Sequence, residues 1–133
     1  IELKEKKDRV EDAIYAVKAA LQEGIVPGGG IALLNASKSV KFENIGEKIL
    51  AKSIKSPFIT IMENAGIENY ELPSKKGVGY DVTSGDKTDM IKSGIVDPVL
   101  VTKTALKNAV SVVSTIISAD CVISNIRVEN ASS

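Results

Sequence analysis

The chain has no histidine, no tryptophan and only one cysteine, Cys121, among its 133 residues. Without histidine, a Ser-His-Asp triad and nearly all zinc sites are excluded, so any chemistry must use carboxylates, lysines, hydroxyls or the backbone. A single cysteine excludes an intrachain disulfide and favours a reducing compartment. Cys121 is better explained as an inert residue than as a nucleophile, because no histidine is available to activate it.

Charge and hydropathy exclude two further classes of partner. Basic and acidic residues number 17 each, so the formal net charge is zero. General nucleic-acid surfaces and anionic-membrane surfaces usually need net positive charge, so we expect neither nucleic acid nor membrane as a partner. No apolar run reaches about 18 residues, so we expect no membrane span. The chain does not begin with methionine, which predicts a piece of a longer protein.

Apolar residues recur with helical spacing along most of the chain. The last helix has the widest apolar stripe and is predicted to lie at the centre of the core. Asp97 is its predicted N-cap and Pro98 its first residue, since aspartate caps helices and proline suits the first helical position. The other predicted helices lie at residues 2–23, 31–40, 44–55 and 57–64.

Two segments have the character of strands. Residues 77–82, followed by the turn residues Ser84–Asp86, predict a β-hairpin, and residues 94–98 predict a short strand. The segment Cys121–Val128 predicts a terminal strand with an exposed edge. Because aromatic residues make up only 4% of the chain, we expect an aliphatic core. The fold predicted is mainly α, one compact helical domain with a small β-hairpin and a terminal edge strand.

The segment "EGIVPGGGIALL", residues 23–34, interrupts the helical pattern with four glycines and a proline. Gly28, Gly29 and Gly30 have no Cβ atoms, so their backbone can approach another group closely. A helix follows directly, and helix N-termini attract anions. The segment is therefore either a phosphate-binding loop or a plain interhelical turn. It is not a Walker A loop, since no Gly-Lys-Ser/Thr follows, and a helix before it argues against a dinucleotide fingerprint.

Three carboxylates are candidates for function, although each has a simpler explanation. Asp12 lies off the apolar stripe of the first helix, which is typical of a solvated face. Asp97 suits a helix cap. Asp81 is explained as a strand or turn residue beside Tyr80.

Taken together, three segments resemble one family. The segment "KEKKDRVEDAIYAVKAALQEGIVPGGGIALL" resembles the signature of the group I chaperonins, the 60-kilodalton heat-shock chaperonins of the GroEL type. The segments "GVGYDV" and "GIVDPVLVTKTALKNAVSV" resemble later parts of that family in the same order. The resemblance spans nearly the whole chain and is weakest at about residues 37–76, where this sequence is shorter than the family pattern.

The resemblance implies roles for individual residues. Gly28–Gly30 match the family loop that lies against the nucleotide. Asp12 matches the catalytic carboxylate that positions or activates the attacking water and contributes indirectly near the metal. Asp97 matches the residue at the adenosine ribose, and Ile95 packs near the base.

The resemblance also implies an adenine pocket. Tyr80, Asp81, Val82 and Thr83 fall where the family lines it. Many members carry Asn-Ala-Ala after the tyrosine, so Asp81-Val82-Thr83 is a departure that puts the polar contact to the base in doubt.

At the level of the whole protein, the resemblance implies a subunit of a double seven-membered ring that encloses unfolded polypeptide, works with a co-chaperonin and hydrolyses ATP with Mg²⁺ and K⁺. Residues 1–23 would be the last helix of the intermediate domain, and residues 24–133 the C-terminal half of the equatorial nucleotide-binding domain. The family's Asp-Gly-Thr-Thr-Thr loop is absent here, so we expect this chain alone to bind ATP weakly or not at all and to hydrolyse none. Bacterial cytosol or an organelle matrix would be its location. The alternative is an independent helical interaction module.

Overall fold

The structure, a computed structural model, describes residues 1–39, 41, 43–121 and 123. Within these residues the fold is mainly helical, as the sequence predicts. The helices are α1 (Glu2–Glu23), α2 (Ile31–Ser39), α3 (Ile45–Ser53), α4 (Ser56–Asn64) and α5 (Val99–Ser118). The strands are β1 (Ile25–Pro27), β2 (Val78–Tyr80), β3 (Lys87–Asp89) and β4 (Val96–Pro98).

Two ion pairs lie along the exposed surface of helix α1. Lys6 pairs with Glu2 at 3.5 Å, and Lys7 pairs with Glu11 at 3.7 Å, both with the i,i+4 spacing that places side chains on one face. The helix ends at Gly24, whose φ of 87° is outside the range of helical backbone. Its predicted bounds are confirmed.

The described strands form two short antiparallel pairs, one a local hairpin and the other joining strands that are far apart in sequence. In the hairpin, Val78 is opposite Asp89 and Tyr80 is opposite Lys87, which confirms the predicted β element. The second pair joins β1 to β4, with Val26 opposite Asp97. The strand β1 was not expected from the sequence, because three residues that end in proline give no periodic signal.

The core forms where α2, α4 and the hairpin meet. Its six fully packed residues come from these elements and from the turn after β3, and they are Ile31, Leu34, Phe58, Met62, Tyr80 and Met90. The ring of Phe58 meets Tyr70 edge to face, with centroids 5.6 Å apart. Four of the six core residues are non-aromatic, as expected, and Phe58 and Tyr80 add two aromatic rings.

The chain divides into two compact units, residues 1–102 and 103–133. The first contains the four described strands and the core cluster. The second contains most of α5, and none of that helix's residues is buried. The prediction that α5 is central to the core is therefore wrong within the described residues, since a helical pattern identifies an apolar face but not what covers it.

By length and composition alone, α5 is long and apolar enough to cross a bilayer. Core helices of soluble proteins have the same composition, so this is weak evidence for a membrane span. The predicted terminal strand at Cys121–Val128 falls almost entirely on residues outside the described ranges.

Candidate functional site

The glycine turn, residues Gly28–Gly30, lies between β1 and α2. The N–H of Gly28 donates to the carbonyl of Ile95 at 2.9 Å, which fastens the turn to the segment before β4. The N–H of Ile31 donates to the Gly28 carbonyl at 3.1 Å. Gly29 and Gly30 have φ values of 62° and 75°, in the left-handed region that favours glycine.

Close packing explains part of the glycine content. A Cβ at Gly28 would lie 3.2 Å from backbone atoms of Ile95 and Val96. A Cβ at Gly30 would lie 2.8 Å from the Cα of Phe58. The segment before the turn is the strand β1, not a helix as the sequence predicted, but β1 pairs antiparallel with β4 and so does not form the parallel unit of a dinucleotide fold.

The turn also carries free donors. Within the described residues, the N–H groups of Gly29 and Gly30 have no hydrogen-bond acceptor. They precede the N-terminus of α2, where the helix dipole favours an anion. Packing and phosphate contact are therefore compatible explanations for the same three glycines.

Asp97 lies in β4, beside the turn. Its carboxyl is half-buried, and burial raises its pKa above the usual value. Among the described residues no hydrogen bond or ion pair reaches this carboxylate. Helix α5 begins at Val99, so the prediction that Asp97 caps the helix and Pro98 opens it is wrong by one residue. The reason is the pairing with β1, which holds both residues in extended backbone.

The hairpin loop is organised by Asp81. Its carboxylate accepts from the N–H of Thr83 at 2.9 Å, its own N–H donates to the Asp86 carbonyl at 2.9 Å, and its carbonyl accepts from Gly85 at 2.7 Å. Aspartate suits this role because its short side chain closes such turns. Val82 and Thr83 are exposed.

Tyr80 is a core residue whose hydroxyl holds a neighbouring segment. The hydroxyl oxygen accepts from the N–H of Glu71 at 3.1 Å and donates to the Glu71 carbonyl at 3.3 Å. Lys87 lies over the Tyr80 ring, 5.7 Å from its centroid, and pairs with the Glu71 carboxylate at 3.0 Å. That ion pair raises the pKa of Lys87. Nothing in the sequence pattern indicated the involvement of Glu71 or Lys87.

The structure brings some predicted site residues together and leaves others apart. The glycine turn, Ile95 and Asp97 are neighbours through the β1–β4 ladder and the Gly28–Ile95 hydrogen bond. Asp12 is exposed on α1, twelve residues before Gly24, which corresponds to about 18 Å of helix. Sequence reasoning missed Met90, which contacts the turn from the core.

The described residues contain no group of three or more His, Cys, Asp or Glu that could hold a metal ion. Mg²⁺ is commonly held by one or two carboxylates together with the phosphates of a substrate. The donors among the described residues do not amount to a metal site of their own.

Comparison with known proteins identifies the family. Residues 1–127 match the model of the TCP-1/cpn60 chaperonin family. The chain is 46% identical over 138 aligned positions to the mitochondrial chaperonin CPN60 of Brassica napus, covering 94% of this chain and 24% of that protein. It is 43% identical over 145 positions to the mitochondrial chaperonin CPN60-like 1 of Arabidopsis thaliana, covering 99% of this chain and 25% of that protein.

A solved structure agrees. A group III chaperonin crystallised in the open state superposes with a TM-score of 0.67 at 28% identity, covering 79% of this chain and 25% of that one. The chain thus spans about a quarter of the length of the relatives that it matches. On this evidence, the chain belongs to the TCP-1/cpn60 chaperonin family.

Proposed function

We propose that this chain is the C-terminal segment of a group I chaperonin subunit, of the GroEL type, and that it supplies part of the site for ATP. Residues 1–23 form the last helix of the intermediate domain, and residues 24–133 the C-terminal half of the equatorial domain. One observation carries the nucleotide assignment: the Gly29 and Gly30 amides, which have no acceptor among the described residues, follow directly on the β1–β4 ladder that contains the partly buried Asp97.

In this proposal the N–H groups of the glycine turn bind the phosphates of ATP. Backbone amides at a helix N-terminus are well suited to anions, and Gly28 holds the turn in place through Ile95. Asp97 contacts the ribose and Ile95 packs near the base. The carboxylate of Asp97 accepts hydrogen bonds from hydroxyls well, and a bound ribose would provide donors that the described residues do not.

The hairpin contributes the edge of the adenine pocket through Tyr80, Asp81, Val82 and Thr83. Tyr80 acts from within the core, because its ring is buried and its hydroxyl is used by Glu71. The Asp81 carboxylate is already engaged by the N–H of Thr83. Contact with the base therefore falls mainly to Val82 and Thr83, which are exposed.

Asp12 is the catalytic carboxylate, which orients the attacking water and accepts its proton as general base. Phosphoryl transfer needs positioning and electrostatic stabilisation more than a nucleophilic side chain, so the lack of histidine is no obstacle. A straight α1 holds Asp12 far from the turn. The helix must therefore swing about Gly24, where a Cβ would meet no atom of the described residues within 4 Å.

The intact subunit works in a double heptameric ring with a co-chaperonin, on unfolded polypeptide. Mg²⁺ and K⁺ accompany the nucleotide there, and among the described residues Asp12 contributes only indirectly near the metal. The mitochondrial location in the names of two relatives supports an organelle matrix for this protein. A bacterial cytosol is the alternative location.

Two experiments test the proposal. Calorimetric titration of the 133-residue chain with MgATP is expected to give weak binding or none, and sub-micromolar binding would contradict the inference that the site needs the rest of the subunit. A structure of the complete subunit with an ATP analogue is expected to place phosphate oxygens within hydrogen-bond distance of the Gly29 and Gly30 amides. A turn that faces away from the triphosphate would refute the assignment and leave the three glycines with a structural role only.

A further inference from the structure

Met90 lies between the glycine turn and the hairpin. It is only 1% exposed and belongs to the core. Its terminal methyl carbon lies 3.0 Å from the position that a Cβ at Gly29 would take, and its sulfur lies 2.7 Å from the corresponding position at Gly79. The Met90 side chain therefore fills the space beside two residues that have no side chain of their own.

Backbone hydrogen bonds also connect Met90 to the hairpin on one side and to the glycine turn on the other. The N–H of Met90 donates to the Gly77 carbonyl at 3.0 Å, and the Met90 carbonyl accepts from Ile95 at 2.8 Å. The Ile95 carbonyl in turn accepts from Gly28 at 2.9 Å. A continuous series of contacts thus connects the hairpin to the first residue of the glycine turn, with Met90 in the middle.

We propose that Met90 is a positioning residue for the phosphate contact of Gly29. The inference rests on the proposed function, because it assumes that the turn binds phosphate. Gly29 has left-handed backbone, so the direction of its N–H depends on how the adjoining peptide is held. Within 4 Å of a Cβ at Gly29, and apart from the chain neighbours, Met90 provides the only described atom. A thioether is slender and flexible enough to pass between two glycines, and a β-branched side chain is not.

Met62 offers a matched control for the loss of core packing. It is also a methionine with 1% exposure in the same core cluster, but it lies on α4 and not against Gly29. Truncation of either residue removes the same atoms from the same core. Only truncation of Met90 releases the turn.

The experiment uses the complete, assembled subunit that carries this segment. The KM for MgATP, the kcat for hydrolysis, adenosine binding and the melting temperature are measured for Met90→Ala and Met62→Ala. We expect Met90→Ala to raise the KM about tenfold, whereas Met62→Ala, with a similar loss of melting temperature, changes it less than about twofold. Adenosine has no phosphates, so its affinity should change equally in both variants. Equal KM changes in the two variants overturn the proposal.

Three further variants keep the test decisive. If Met90→Ala fails to assemble, Met90→Leu and Met90→Ile are compared, and the β-branched isoleucine is expected to raise the KM more than leucine; equal values overturn the proposal. Gly29→Ala distinguishes a failure of the Met90 positioning role from a failure of the proposed phosphate binding by the turn. An unchanged KM in Gly29→Ala means that the turn does not hold phosphate, so the proposed function fails. A raised KM in Gly29→Ala, together with equal effects of Met90→Ala and Met62→Ala, refutes only the positioning role.

Discussion

Gly30 and Phe58 are in direct backbone contact. A Cβ at Gly30 would lie 2.7 Å from the amide nitrogen of Phe58, closer than real Cβ atoms come to their neighbours. Gly30 ends the glycine turn and Phe58 lies in the first turn of α4, so the contact sets how closely α2 and α4 approach. Gly30 also has a φ of 75°, which L residues with side chains rarely adopt. Two independent causes thus exclude a side chain here.

Replacing Gly30 by alanine should therefore destabilise the fold more than an ordinary glycine substitution. We expect Gly30→Ala to lower the free energy of unfolding by roughly 3–5 kcal/mol, because backbone strain and overpacking add. Gly66→Ala is the control, since Gly66 has a similar φ of 68° but no atom of the part of the chain that the structure describes lies within 4 Å of its Cβ position. It should lose roughly 1–2 kcal/mol from strain alone. Urea denaturation of the chain measures both, and equal losses would contradict the packing argument.

Tyr80 should hold the segment before the hairpin through its hydroxyl. Tyr80→Phe keeps the ring and removes both hydrogen bonds to Glu71, so we expect a loss of about 1 kcal/mol and faster hydrogen exchange at the Glu71 amide. Tyr70→Phe is the control, because the Tyr70 hydroxyl has no partner within the described residues. Unchanged hydrogen exchange at the Glu71 amide in Tyr80→Phe would show that the Tyr80 hydroxyl does not hold Glu71 in solution.

Asp97 should make stability depend on pH. Burial raises its pKa in the folded state, so the folded chain binds this proton more tightly than the unfolded chain. Below the ordinary aspartate pKa of about 4, the carboxyl is protonated in both states and its burial does not lower the free energy of unfolding. As the pH rises from there through the folded-state pKa, the free energy of unfolding falls, and the full loss is reached at neutral pH. Asp97→Asn should therefore raise the free energy of unfolding by roughly 0.5 kcal/mol at neutral pH, a small value because water screens a half-exposed group.

The same pH series supplies the control for Asp97. Near pH 3 the difference between Asp97→Asn and the unaltered chain should vanish, because aspartate is then protonated in both states. Asp86→Asn removes an exposed carboxylate of the hairpin loop and should show no comparable gain at neutral pH. A gain that persists at low pH would have another cause than charge burial.

Much of this fold is predictable because its signals are local. Helical periodicity predicts the ends of α1 to α4 within two residues, and the turn residues Ser84–Asp86 predict the hairpin. The strand β1 escapes prediction because its stability comes from pairing with β4, far along the chain. The exposure of the described α5 residues is not predictable from the sequence either, since a stripe of apolar residues does not indicate which surface covers it.

The candidate site is less predictable than the fold. The resemblance to the family marks Gly28–Gly30, but the reason that Gly30 must be glycine is the backbone of Phe58, which no local pattern reveals. Met90 carries no motif either, because a buried methionine has the same appearance in sequence wherever it packs. Contacts between residues distant in sequence decide both, and only the folded chain displays them.

Asp12 is the residue on which the proposed catalysis depends. It is exposed on α1, so its replacement should leave the fold and the nucleotide contacts of the glycine turn intact. In the complete subunit we expect Asp12→Ala to lower the hydrolysis rate about 10²–10⁴-fold, the usual contribution of a general base, while the dissociation constant for MgATP changes little. Asp8→Ala is the matched control, because Asp8 lies one turn earlier on the same exposed face and carries the same charge. Steady-state hydrolysis and equilibrium binding are measured side by side. Turnover that survives in Asp12→Ala, or that falls equally in Asp8→Ala, would show that this carboxylate does not activate the water.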